Sequence, residues 1–98
     1  MPKLESEFAM DLKEELRHRF PDCFIIKLDA NQVQGIPDLL VLWRDNWAVL
    51  ETKRGISSKR QPNQEYYVQL FNAMSFSAFI HPLNYLDVLD DMERAFGL

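Results

Sequence analysis

The chain has 98 residues, with 15 acidic and 11 basic side chains, a net charge of −4 and 47% hydrophobic residues. That is enough for one core and too short for two folded domains, so a single domain spanning residues 1–98 is expected. The negative balance excludes a polycationic nucleic-acid coat, and the apolar share excludes wholesale disorder.

A single cysteine, Cys23, allows no intramolecular disulfide, and no zinc-ligand spacing is present. A reducing, cytoplasmic setting is the expectation. No apolar run approaches ~18 residues, so no membrane span is expected. MPKLESEF is charged and has no apolar signal region, so secretion is not expected.

The first element reads as a helix. Leu4, Phe8, Leu12, Leu16 and Phe20 recur every four residues and form one apolar stripe, which Pro21 ends. Cys23 to Leu28 is short, apolar and partly β-branched, as in a strand. Asp29 to Gly35 is a polar loop. Ile36 to Trp43 and Trp47 to Leu50 are apolar almost throughout and read as a hairpin of central strands buried on both faces. Arg44-Asp45-Asn46 between them has turn chemistry.

Arg54 to Asn63 is polar and reads as a loop. Pro62 suits the first turn of a helix on which Tyr67, Leu70, Phe71 and Met74 share a face. Phe76 to Ile80 is the last strand and Pro82 breaks it. Asn84 caps a final helix, with Tyr85, Val88, Leu89, Met92 and Phe96 on its buried side. The predicted order is α-β-β-β-α-β-α, an α+β fold with a mixed sheet of about four strands covered by helices.

The informative stretch is Gly35-Ile36-Pro37-Asp38, then Glu51-Thr52-Lys53. With Asp45-Asn46 as a two-residue turn, Arg44 faces Trp47, Leu40 faces Glu51 and Asp38 faces Lys53. Opposed residues on antiparallel strands share a face, and alternation puts Glu51 and Lys53 together. Asp38, Glu51 and Lys53 then converge at one end of the hairpin. A three-residue turn would break that parity.

Two carboxylates so close need a cation to stay ionised. Mg²⁺ takes one or two carboxylates and keeps several waters, with the Thr52 backbone carbonyl as a further ligand. Such a site activates water against a phosphodiester. Lys53 there either stabilises the developing charge or orients the water. The bland alternative is that Asp38 caps a turn and Glu51 with Lys53 is a solvent-facing pair. It leaves charges unexplained in the most apolar hairpin of the chain.

Pro37-Asp38 … Glu51-Thr52-Lys53 resembles the active-site signature of the PD-(D/E)XK nuclease superfamily. The wider run GIPDLLVLW … WAVLETKRG … QPNQEYYVQLF is similar to its VRR-NUC branch and to related phage and resolvase-type endonucleases. The resemblance covers Ile36 to Phe71 and implies a restriction-endonuclease-like core that cleaves DNA with Mg²⁺ or Mn²⁺. Carried over residue by residue, Asp38 and Glu51 match the metal ligands, Lys53 the catalytic lysine and Gln64 a glutamine on the following helix. A first-helix carboxylate often completes such sites, and Glu7 is the candidate here, with Glu5 second. The stretch RGISSKRQPN carries less glycine and proline than the branch often has.

Lys53, Arg54, Lys59 and Arg60 fall within eight residues without an acid, and Arg54, Lys59 and Arg60 are candidate DNA-phosphate contacts. Asp87, Asp90, Asp91 and Glu93 on the last helix are expected to face away from DNA. The expected activity is metal-dependent DNA endonuclease, selective for branched or junction DNA because so small a chain offers little surface for reading sequence. A homodimer in a bacterial or phage-infected cytoplasm is part of the same expectation. Two alternatives stay open, a nicking nuclease without junction preference and a nuclease-fold DNA-binding or assembly module that does not cut.

Overall fold

A computed structural model describes residues 5–55 and 59–98, with the Glu5 side chain outside the description. Leu4 of the predicted stripe and the interior of the 54–63 loop therefore lie outside the described residues.

Helix α1 (Glu5–Arg19) buries Phe8, Leu12, Leu16 and Phe20, the predicted stripe, and ends in three basic residues that suit the negative end of its dipole. Strands β1 (Phe24–Lys27), β2 (Leu39–Trp43), β3 (Asn46–Thr52) and β4 (Phe76–Ile80) form one sheet in the order β1-β2-β3-β4. The first two pairings are antiparallel, whereas β4 runs parallel to β3. A parallel neighbour requires a crossover, and helix α2 (Gln64–Met74) supplies it. Helix α3 (Tyr85–Ala95) closes the chain. The fold is thus α+β with a four-stranded mixed sheet, in the predicted order.

One face of the sheet carries the main core. Leu39, Val41, Trp43, Ala48, Leu50, Phe76 and Ile80 meet the α1 stripe and Leu89 and Met92 of α3. Each large apolar side chain buried there contributes about 1.5–3 kcal/mol. Arg19 ties α1 to α3 through Asp90 at 2.6 Å, and Trp43 Nε1 donates to the Pro21 carbonyl at 2.9 Å. On the other face, α2 packs over β3 and β4. Phe24, Ile26 and Leu42 on β1 and β2 stay exposed, with Phe24 at 69%. The expectation that both hairpin strands are buried on both faces therefore holds for β3 and fails for β2.

Three further expectations change. The hairpin turn is Arg44-Asp45, not Asp45-Asn46, because Trp43 pairs with Asn46. Arg44 takes φ 55° there and lays its guanidinium over the Trp43 ring at 4.3 Å. Met74 is exposed, so the inward side of α2 is carried by Gln64 and Val68 with Tyr67, Leu70 and Phe71 half-buried. Asn84 stands at the N-cap position of α3, but its side chain makes no cap bond. It accepts from the His81 N–H at 2.8 Å and donates to the Phe79 carbonyl at 3.2 Å, fastening the exit of β4. Among the described residues, no helix is long and apolar enough to cross a membrane.

Candidate active site

The site forms where β2 begins and β3 ends. The observed register pairs Leu39 with Leu50, and one residue further along it sets Asp38 opposite Glu51. The sequence expectation had Asp38 opposite Lys53, two residues away. A slip of two keeps every side chain on its face, so the convergence survives the correction. What changes is the pairing. The residue opposed to Asp38 is now the carboxylate Glu51 and not the ammonium Lys53.

Each is held differently. Asp38 accepts from the Thr52 N–H at 2.9 Å and from the Thr52 hydroxyl, while its own carbonyl accepts from the Leu28 N–H at 2.8 Å. The start of β2 is thus stitched to β1 and β3 at once. The Glu51 side chain is only 9% exposed. Burial first, and then the Asp38 carboxylate, push its carboxyl from an ordinary 4.5 up to about 7, against the opposing pull of Lys53 and the Asp38 N–H.

Gln64 joins these groups. Its Nε2 donates to Glu51 Oε2 at 3.2 Å, and its Oε1 accepts from Lys53 Nζ and from the Gln61 N–H, both at 2.8 Å. Lys53 Nζ also donates to the Lys59 carbonyl at 2.9 Å and lies 3.7 Å from Glu51 Oε2. The Lys53 side chain is 12% exposed, so these contacts act with little screening. An uncharged amide that donates to a carboxylate and accepts from an ammonium holds both without adding charge.

Gly35 explains how α2 arrives there. It has φ +87°, and a Cβ on it would lie 2.6 Å from the Asn63 Cβ and 2.8 Å from the Pro62 carbonyl. Only glycine permits both that backbone and that approach. The residue before Ile36-Pro37-Asp38 therefore seats the residue before Gln64. Asn63 itself takes φ 71° to open the helix.

The other predicted residues lie as follows. Glu7 is exposed on α1 and is not on the wall of the adjoining cavity. The helical phase explains this, because Phe8 is the residue that points into the core. Glu5 opens α1 one turn before the cavity-lining Ala9, and its side chain is outside the described residues. Arg54 and Lys59 are exposed. Arg60 is exposed too, paired with Glu65 at 3.3 Å and stacked over Phe79 at 3.8 Å. Among the described residues, no group of three His, Cys, Asp or Glu side chains converges. The available donors are the two opposed carboxylates and the nearby main chain of Thr52.

A cavity of about 550 Å³ opens beside Asp38, Thr52 and Lys53. Glu51 is not on its lining. The far side is formed by α1 and the end of β1, with Lys13 and Lys27 on its lining. Sequence reasoning missed both lysines. The available signal was Lys27, the only charge in the apolar run Cys23 to Leu28. Comparison with protein-family profiles, with curated proteins and with solved structures gave no match.

Proposed function

We propose that this chain is a Mg²⁺-dependent DNA endonuclease of the PD-(D/E)XK type, akin to the VRR-NUC and phage resolvase-like branch. One observation carries the reading. Asp38, Glu51, Lys53 and Gln64, drawn from β2, β3 and α2, meet in one network of opposed carboxylates, amide and ammonium.

The donor set fits a hard divalent ion. Burial, and then the neighbouring Asp38 carboxylate, raise the cost of ionising Glu51, and a bound cation would offset it. Asp38 and Glu51 would hold the ion, with the Thr52 carbonyl as a further oxygen ligand and water filling the remaining positions. Mn²⁺ would substitute. The bound ion supplies neutralisation of the phosphodiester and a water of lowered pKa.

The rest is the work of the chain's own groups. Thr52 fixes the Asp38 carboxylate through two donors. Gln64 aims Lys53, whose ammonium carries three donors and serves the charge that develops on the attacked phosphate. Arg54, Lys59 and Arg60 supply phosphate contacts on the α2 side. Glu7 is exposed and off the cavity lining, and a role for Glu7 or Glu5 rests on the resemblance alone. A homodimer working in the cytoplasm on branched or junction DNA completes the reading. The unpaired edge of β1, with Phe24 and Ile26 exposed beside it, supports association.

The test is cleavage of a labelled four-way junction, a nicked duplex and a linear duplex, with Mg²⁺, Mn²⁺ or EDTA, by wild type and Lys53→Ala. Metal-dependent cutting that favours the junction and is lost in the variant supports the proposal. Equal cutting of all three makes the protein a nicking nuclease. Salt-sensitive binding without cutting makes it a binding module and refutes the catalytic assignment.

A further inference from the structure

The cavity beside Asp38 has two characters. Its floor is apolar, formed by Phe8 and Ala9 of α1 and Leu39 of β2. Its rim is cationic, with Lys13 half-buried on α1 and Lys27 exposed at the end of β1. Among the described residues, neither lysine forms an ion pair. Lys53, on the same lining, is oriented by Gln64 and the Lys59 carbonyl. Among the described residues, the only carboxylate on the lining is Asp38, which Thr52 already engages. In a chain of net charge −4, two unpaired ammonium groups beside one occupied carboxylate form a local seat for an anion. The volume, about 550 Å³, lies in the range of small-molecule sites and admits one nucleotide unit.

We propose that Lys13 and Lys27 bind the DNA phosphate adjacent to the one at Asp38, while Phe8, Ala9 and Leu39 carry its sugar. This rests on the endonuclease reading and extends it. The backbone crosses the site from the Lys59–Arg60 side of α2 to the α1–β1 side, so the strand is held on both flanks of the scissile bond. Lys13 and Lys27 touch the neighbouring phosphate and not the reacting atoms, so they serve affinity and placement.

The experiment measures junction-DNA binding by fluorescence anisotropy in Ca²⁺, from low to high salt. It compares wild type, Lys13→Gln, Lys27→Gln, the double variant and Arg94→Gln, a remote control on α3. Thermal unfolding checks that each variant is folded. Each lysine replaced is expected to lower the slope of log K against log salt by ~0.9, and the double variant by about twice that. Arg94→Gln is expected to leave it unchanged. In Mg²⁺ the double variant is expected to raise KM while the single-turnover rate at saturating DNA is kept. If wild type binds and cuts but the double variant keeps its slope, the seat is refuted and the endonuclease reading stands. If wild type shows no salt-dependent binding to DNA, both fall together.

Discussion

Replacing Glu51 by Gln in the metal-free protein is expected to stabilise it at alkaline pH. The Glu51 carboxyl is buried at the end of β3 against Asp38, and its pKa in the folded chain is raised from 4.5 to about 7. A raised acid pKa means that the folded state holds the proton more tightly than the unfolded chain. The stability tied to this proton is fully present below about pH 4.5 and lost as pH rises through 7. A displacement of that size corresponds to about 3 kcal/mol once Glu51 is fully ionised. Gln cannot ionise and keeps an acceptor for Gln64 and for the Asp38 N–H. Urea unfolding in EDTA should therefore give Glu51→Gln and wild type similar stability near pH 4.5. By pH 8 a gap approaching 3 kcal/mol should favour the variant. Divalent ion at pH 8 should raise wild type and leave the variant where it is, since only the ionised pair binds the ion. A variant less stable than wild type at pH 8, or a gap unchanged between the two pH values, would refute the reasoning.

Other consequences follow from the same contacts. Gln64→Ala releases Lys53 from its acceptor and should slow single-turnover cleavage by up to ~10²-fold while DNA affinity holds; rapid-quench kinetics beside anisotropy would show it. Gly35→Ala forces a side chain onto φ +87° and into Asn63, so a loss of at least ~1–2 kcal/mol in urea unfolding is expected, with cleavage weakened as α2 shifts. Leu50→Ala empties a fully buried position between the α1 stripe and the sheet and should cost about 2–5 kcal/mol by the same measurement, without changing metal dependence.

The element order was legible because its signals are local. A four-residue apolar stripe, a polar turn between apolar runs and a proline after α1 and after β4 suffice. The convergence of Asp38, Glu51 and Lys53 was legible for a related reason, since alternation along β3 and pairing across one turn dictate it. The register was not. Turns at Arg44-Asp45 and at Asp45-Asn46 leave the same residues on the same faces, so hydrophobic pattern does not separate them. The choice depends on where Trp43 packs, between Phe20 and Phe96, and on its bond to Pro21. Partial cover of the α2 face was hidden too, because an apolar run looks alike whether or not a helix lies over it. The cavity lysines come from α1 and β1, elements the motif does not include. The approach of Gly35 to Asn63 joins positions 28 residues apart, and only the closed fold brings them together.

The central claim is that the opposed pair Asp38 and Glu51 forms a divalent-cation site, and Mn²⁺ binding tests it most directly. Electron paramagnetic resonance at pH 8 would count the free and bound ion in wild type, Asp38→Asn and Glu51→Gln. The account predicts saturable binding in wild type that weakens sharply in both variants, and that falls in wild type as the pH is lowered through 7. Saturable binding that survives both substitutions, or wild type that binds no Mn²⁺ at millimolar concentrations, would contradict it.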